Sequence, residues 1–205
     1  GLAFDPSGSL WVANDGSGKV IEFTKAELAK SGSPAPVFTL SQDDCSITFD
    51  SSGDLWEGST ANTLSEFTRA ELAKPGGSPA PNVVISSDIT ANILNGPCKP
   101  AFDRAGDIWA GNYNNNLVVE FTKAQLGKSA TLTPKVVISS PQNGNPGDIA
   151  FDASGDLWVP TQSGHSVVEY TKAQLSKSGS PVPHVAISMP AALTDNGPWA
   201  VAIEP

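Results

Sequence analysis

Short apolar runs recur along this chain, punctuated by turns built on Asp and Gly, and the punctuation is periodic. Phe4-Asp5-Pro6-Ser7-Gly8-Ser9-Leu10-Trp11 returns as Phe49-Asp50-Ser51-Ser52-Gly53-Asp54-Leu55-Trp56 and as Phe102-Asp103-Arg104-Ala105-Gly106-Asp107-Ile108-Trp109. The fourth copy is Phe151-Asp152-Ala153-Ser154-Gly155-Asp156-Leu157-Trp158. Each reads as a β-hairpin: apolar residues enter a turn with Asp first and Gly fourth, and an apolar run leaves it. A type I turn favours Asp at its head, where the side chain caps the turn, and Gly where other residues are strained. Pro6 suits the second turn position because its ring fixes φ.

The phenylalanines stand 45, 53 and 49 residues apart. Several short strands per period of that length are the pattern of propeller blades, each unit being too small to bury its own faces. The pattern predicts four strands per unit. In the first they are a (1–5), b (10–14), c (20–23) and d (37–41), with c matched at 64–67, 118–121 and 167–170 and d at 83–86, 136–139 and 185–188. Strands b and d are near-continuously apolar instead of alternating, as expected where neighbours cover both faces. The units run over roughly 1–44, 45–97, 98–146 and 147–198, a single all-β propeller domain or segment. A fifth partial copy, Trp199-Ala200-Val201-Ala202-Ile203-Glu204-Pro205, predicts a surplus inner strand at 199–205.

Between c and d, Thr24-Lys25-Ala26-Glu27 is a capping box, with Phe23 and Leu28 placed as a hydrophobic staple. The arrangement recurs at Thr68–Glu71, Thr122–Gln125 and Thr171–Gln174, so a short capped helix is expected in every unit. Gly32, Gly76 and Gly179, with prolines behind them, are expected to stop three of these helices; the insert ending near Lys128-Ser129-Ala130 lacks that glycine. Strand direction puts the a–b turns and c–d helices on one face and the b–c and d–a loops on the other. The first face is repetitive. The second varies over Gln42–Asp44, Ser87–Pro97, Ser140–Pro146 and Met189–Pro198, which makes it the expected binding face.

Composition narrows the function. The net charge of −9 argues against nonspecific binding to nucleic acid or anionic membrane, and no apolar run approaches the roughly 20 residues of a spanning helix. Eight of the 12 basic residues sit in the c–d inserts, where they read as solvated helix faces, the C-terminal lysines favoured by the helix dipole. Charged residues are only 16%, and this Ser/Thr/Asn-rich composition points to an extracytoplasmic or secreted protein. Cys45 and Cys98 each stand four residues before their unit's Phe, open to two readings: buried free thiols, or a disulfide, which needs Cα atoms within about 7 Å. The start at Gly1 reads as processed or cropped, since strand a lacks the residues that precede its counterparts.

The pattern Gly-x-Ala-Phe-Asp-x-x-Gly-x-Leu-Trp-Val-x-Asn … Val-x-Glu-Phe, carried by residues 1–23 and more loosely by 148–170, resembles the NHL-repeat propellers. It is more distantly similar to streptogramin lyases and gluconolactonase-like propellers. The resemblance implies four-stranded blades and, for NHL propellers, commonly six of them, where this chain shows four and a strand. That departure favours a segment of a longer propeller, with a terminal strand pairing to a neighbouring molecule as the second option. A lyase-like mechanism would need a histidine base, a carboxylate and a metal at the channel mouth, and His165 with Glu169 is the nearest approach. A lactonase-like site would draw on carboxylate and Asn/Asp ligands such as Asn14, Asn112, Asp148 and Glu57.

Read on their own, these residues divide. Glu57 is the least expected, because Val12, Ala110 and Val159 hold its position in the other units and a buried carboxylate is costly unless paired. Asp5, Asp50, Asp103 and Asp152 are explained by the turns they head, and Asp54, Asp107 and Asp156 are expected to be solvated. Asn112-Tyr113-Asn114-Asn115-Asn116 reads as a b–c turn, and Tyr113 and Trp199 offer stacking surfaces. The candidate ligand-binding set is Asn14, Glu57, Lys99, Asn112, Tyr113, Asp148, His165 and Trp199, with no catalytic residue, metal ligand or cofactor assigned. The reading that results is a noncatalytic binding or structural module taking a protein, peptide or carbohydrate on its loop face. The alternatives are a lactonase- or lyase-like enzyme using a divalent cation, and an assembly subunit that pairs through terminal strands.

Overall fold

A computed structural model describes residues 1–41, 44–74, 79–88, 92–190 and 197–203. Four sheets follow one another along the chain, and in each the first strand pairs only with the second, the second with the third and the third with the fourth. The first blade is β1 (Leu2–Phe4), β2 (Leu10–Asn14), β3 (Lys19–Phe23) and β4 (Phe38–Ser41). The second is β5 (Asp44–Phe49), β6 (Leu55–Ser59), β7 (Thr63–Phe67) and β8 (Val83–Ser86). The third is β9 (Ala101–Phe102), β10 (Ile108–Asn112), β11 (Leu117–Phe121) and β13 (Val136–Ile138), and the short strand β12 (Ala130–Thr131) of its insert pairs with β8 as a fifth strand of the second sheet. The fourth is β14 (Ala150–Phe151), β15 (Leu157–Thr161), β16 (Ser166–Tyr170) and β17 (Val185–Ser188). The chain is an all-β propeller arrangement of four blades.

The repeated turns close as their composition dictates. Asp5 Oδ1 accepts the backbone N–H of Ser7 at 2.8 Å and of Ser9 at 2.9 Å, and Asp50, Asp103 and Asp152 make the same pair of bonds in their own turns. The fourth turn residue lies at positive φ in every copy, +85° at Gly8, +81° at Gly53, +83° at Gly106 and +85° at Gly155, a region a Cβ disfavours.

The c–d inserts fold as capped single turns, in two versions. Thr24 and Glu27, and Thr68 and Glu71, form full capping boxes on α1 (Lys25–Leu28) and α2 (Arg69–Leu72). In the third and fourth blades the expected helix is instead a 3-10 turn, at Lys123–Gln125 and Gln174–Ser176. Gln stands there in place of Glu, so the first turn loses the negative charge that favours a helix N-terminus. The amide donates onward instead, from Gln125 to the Thr133 carbonyl and from Gln174 to the Val182 carbonyl.

The acids that follow the turn glycines have a duty that their half-exposed setting conceals. Asp54 Oδ1 accepts the Arg69 N–H, Asp107 Oδ1 that of Lys123 and Asp156 Oδ1 that of Lys172, each at 2.7 Å. They fasten the hairpin to the first N–H of its insert, where solvation alone was expected. Asp156→Ala is expected to cost about 1 kcal/mol of stability, the usual value of a lost cap, read as a lowered denaturation midpoint.

The core lies between blades. Trp11, Leu40 and Ile47 belong to a cluster joining the first and second blades, Trp56, Ile85 and Phe121 to one joining the second and third, and Trp109, Ile138 and Val168 to one joining the third and fourth. Each boundary also carries an aromatic pair, with Trp11 against Phe49, Trp56 against Phe102 and Trp109 against Phe151 at 5.7, 6.0 and 5.9 Å.

Of the expected surplus strand, Ala200 makes a one-residue parallel bridge to Asp148 and residues 201–203 have no regular structure. Gly147 permits that crossing, since a Cβ there would come within 2.1 Å of the Trp199 carbonyl oxygen. Gln42 and Asp43, Gly76, residues 89–91 and 191–196, Glu204 and Pro205 lie outside the described residues.

Candidate functional site

The loop-bearing face is assembled from b–c turns and d–a loops that hold one another. Asn112 Oδ1 accepts the Asn95 N–H at 3.0 Å, Asn114 Nδ2 donates to Asn95 Oδ1 and Asn145 Nδ2 donates to the Tyr113 carbonyl at 2.7 Å. Asn116 takes the left-handed conformation at φ +62°, so the asparagine run is the expected turn. The fully buried Asn112 has its side chain consumed by these contacts and by the carbonyls of Ala110 and Leu117.

Within this face a hollow of about 350 Å³ opens between Thr60, Gly96–Cys98, Tyr113, Asn114 and Trp199, beside Gly1. The rings of Tyr113 and Trp199 pack at 5.3 Å with a 45° tilt, and Trp199 is 42% exposed. Tyr113 is fixed by its hydroxyl, which donates to Gln162 Oε1, and by its N–H, which donates to the Gly96 carbonyl. The hollow therefore has a rigid aromatic wall that faces water.

Near the starts of the inner strands a second group gathers. Ser46 Oγ donates to Asp148 Oδ2 at 3.2 Å, linking the second and fourth blades directly, and Asp148 Oδ1 has no hydrogen-bond partner among the described residues. Burial pushes the Asp148 carboxyl up, against the pull of the nearby Lys99 ammonium and the Ser46 hydroxyl. Asp148 and the half-buried Lys99 are thus neighbours.

Of the remaining candidates, Asn14 and His165 lie at b–c hairpins and Glu57 lies within a b strand. Asn14 is exposed at the end of β2, opposite Lys19. Glu57 is buried at the middle of β6, opposite Ile47 and Ser65, and it is engaged there. His165 closes the β15–β16 hairpin at φ +47°, the role Asn62 and Asn116 play in the second and third blades. Its backbone donates to Gln162 and accepts from Met189, while its ring Nδ1 is buried with no hydrogen-bond partner among the described residues. Glu169 faces His184 at 3.4 Å, matching Glu66 with Asn82 and Glu120 with Lys135 in the preceding blades. Cys98 is disulfide-bonded, and the side chain of Cys45, the chain's other cysteine, lies outside the described residues.

Among the described residues, groups of three or more close carboxylate, imidazole or thiolate ligands occur at Asp50–Asp54–Glu66 and at Asp103–Asp107–Glu120, both on the turn-and-helix face. The second is bridged by Lys135, 2.7 Å from Glu120 and 3.7 Å from Asp107, so a side-chain cation already occupies it. The hollows on that face, lined by the same Asp, Trp and Glu positions at each boundary, are products of the repeat.

No family model matches the chain, and no curated protein matches it in sequence. Solved structures do match it in fold. A catalytically inactive virginiamycin B lyase from Staphylococcus aureus with quinupristin superposes at TM-score 0.66 and 16% identity, over 98% of this chain and 58% of the lyase. A streptogramin B lyase gives TM-score 0.62 and 15% identity over 98% of this chain and 57% of that one. A protein of unknown function from Bacteroides caccae gives 0.56 and 12%, over 91% and 59%. The chain spans less than three fifths of the length of each, and the likeness establishes a propeller fold.

Proposed function

We propose that the chain is an extracytoplasmic binding module whose loop face takes a peptide or carbohydrate in the hollow walled by Tyr113 and Trp199. The observation that carries the proposal is that aromatic pair. A half-exposed indole held by a tyrosine anchored through its own hydroxyl offers a large, preorganised stacking surface, and such residues dominate the energetics of recognition. The loops around it differ in length and sequence while the opposite face repeats itself, which is how specificity is placed on a regular scaffold. A disulfide at Cys98 supports an oxidising compartment. The noncatalytic half of the reading is supported by Asn112, whose side chain is consumed in holding the loops.

Trp199 is its own reporter. Titration of the protein with panels of peptides and oligosaccharides, followed by indole fluorescence, is expected to identify a ligand, and Tyr113→Ala and Trp199→Ala are each expected to weaken it by about 30-fold, a hot-spot effect. Unchanged affinity in both variants would remove the hollow from consideration.

A second reading is favoured by the fold of the neighbours: a lyase acting on a cyclic peptide such as the quinupristin bound by one of them. It requires a base, and the Asp148–Lys99 pair is the group on this face best placed to supply one. Turnover of a streptogramin B peptide by the protein, abolished in Asp148→Asn, would establish it in place of the binding module.

A further inference from the structure

The aspartate at the head of each repeated turn has a second carboxylate oxygen, and the blades put it to two different uses. In the first and fourth blades it accepts the indole N–H of the blade's own tryptophan, Trp11 Nε1 donating to Asp5 Oδ2 at 3.3 Å and Trp158 Nε1 to Asp152 Oδ2 at 3.1 Å. In the second and third blades that bond is not made. Trp56 and Trp109 are 1% and 3% exposed, and the Nε1 of each is buried with no hydrogen-bond partner among the described residues. The turn carboxylate converges there with two others, Asp50 with Asp54 and Glu66, and Asp103 with Asp107 and Glu120, one oxygen of each lying within 4.8 Å of the other two. Among the described residues, only these two blades gather three carboxylates in this way.

Three converging carboxylates repel one another unless a cation sits among them. The third blade shows where that cation goes. One position is equivalent in every blade, because its backbone N–H donates to the carbonyl of the strand glutamate: Val37 to Glu22, Asn82 to Glu66, Lys135 to Glu120 and His184 to Glu169. In the third blade the Lys135 ammonium lies 2.7 Å from Glu120 and 3.7 Å from Asp107, so the chain neutralises its own cluster. In the second blade the residue is Asn82, whose amide donates to Glu66 Oε2 at 2.7 Å and brings no charge. Among the described residues no lysine, arginine or histidine pairs with Asp50, Asp54 or Glu66. Burial pushes the Glu66 carboxyl up against the pull of the Asn82 amide, and the charges of Asp54, Asp50 and Glu71 push it further.

We propose that Asp50, Asp54 and Glu66 bind a calcium ion in the place that Lys135 Nζ takes in the next blade. Each acid has an oxygen to give. Asp50 Oδ1 is used by the turn, Asp54 Oδ1 by the Arg69 N–H and Glu66 Oε2 by Asn82, which leaves Asp50 Oδ2, Asp54 Oδ2 and Glu66 Oε1. The three line a hollow of about 480 Å³ at the boundary of the second and third blades, together with Trp56. The buried Trp56 N–H, whose counterparts face the turn carboxylate, is placed to donate to an oxygen of the ion's hydration shell. Carboxylate oxygens beside open solvent suit calcium, which takes roughly six to eight oxygen ligands in flexible geometry and accepts water among them. Two of the acids belong to the β5–β6 turn and the third to β7, so the ion fastens hairpin to neighbouring strand as a lysine does one blade later. This site lies on the turn-and-helix face and does not rest on a ligand in the Tyr113–Trp199 hollow.

The test is calorimetric titration of the full chain, stripped with chelator, with calcium chloride. Glu66→Gln, Asn82→Lys and Lys135→Asn serve as variants, and far-ultraviolet circular dichroism checks the fold of each. The wild type is expected to bind one ion with a Kd of about 10⁻⁴–10⁻³ M and to show a higher denaturation midpoint with calcium. Glu66→Gln is expected to weaken binding by about tenfold or more, because the number of ligand charges tunes affinity. Asn82→Lys is expected to bind none and to show no response of its midpoint to calcium, since an ammonium then holds the ion's place. Lys135→Asn releases the third-blade cluster and is expected to bind two ions. Absence of heat and of any midpoint shift at about 10 mM calcium, well above that Kd, overturns the proposal. So does binding that neither Glu66→Gln nor Asn82→Lys weakens, and so does tighter binding of magnesium than of calcium.

Discussion

Replacing Trp56 by alanine is expected to cost about 3–5 kcal/mol of folding stability, a large part of what a domain of this size possesses. The indole is 1% exposed and belongs to the cluster joining the second and third blades, where it meets Phe102 edge-on at 6.0 Å. Truncation removes its transfer free energy and leaves a cavity among Leu64, Ile85, Ile108 and Phe121. The strands on either side are pinned by their ladders and cannot collapse to fill it. Urea denaturation would show the loss as a lower midpoint. The control is Trp158→Ala in the isolated chain, where the half-buried ring has less to lose. Equal losses at the two positions would contradict the view that stability resides between blades.

Alkaline pH is expected to remove a second block of stability through Tyr170. Its hydroxyl is buried and donates to Asn143 Oδ1 at 2.6 Å, and burial pushes its pKa up to about 12. Below pH 10 the phenol is neutral in both the folded and unfolded chain, and its full contribution is present. Between pH 10 and about 12 the unfolded chain releases a proton that the folded chain retains, so stability falls as pH rises. The loss amounts to about 2–3 kcal/mol over that window. Tyr170→Phe is expected to lack this component of the decline while being less stable by about 1–3 kcal/mol at neutral pH, because Asn143 is left with a buried acceptor unused. Denaturation of both proteins from pH 8 to 12 would check the sign and the window. Parallel curves would show that the hydroxyl is already ionised or solvated in the folded state.

The two expectations separate what local pattern can and cannot carry. The turns at Asp5, Asp50, Asp103 and Asp152 were readable because the backbone bonds that close them fall within four residues, and the Thr-x-x-Glu boxes are equally local. The extension of that box to Gln125 and Gln174 was readable as a cap but not as a 3-10 turn, since the amide's second bond goes to a carbonyl eight residues on. Asp54, Asp107 and Asp156 looked solvated for a similar reason: the N–H groups they cap lie 15 or 16 residues away. His165 drew notice by residue type, and its backbone angle, which places it in a turn, was not legible from that type.

By itself the sequence determined the blade, its hairpin, its capped insert and the division into a repeated face and a variable one. All of these follow from short-range hydrogen bonding and from the period of the apolar positions. Only the tertiary structure decided that Tyr113 and Trp199, far apart in the chain, share one hollow, and that Ser46 reaches Asp148. It also decided that the third and fourth inserts lie on the outer strand of the blade before them. Contacts of that kind depend on how rigid blades are set side by side. No periodicity encodes the setting, so Phe4 reads in sequence like its three counterparts, yet it is 64% exposed where they pack against tryptophans.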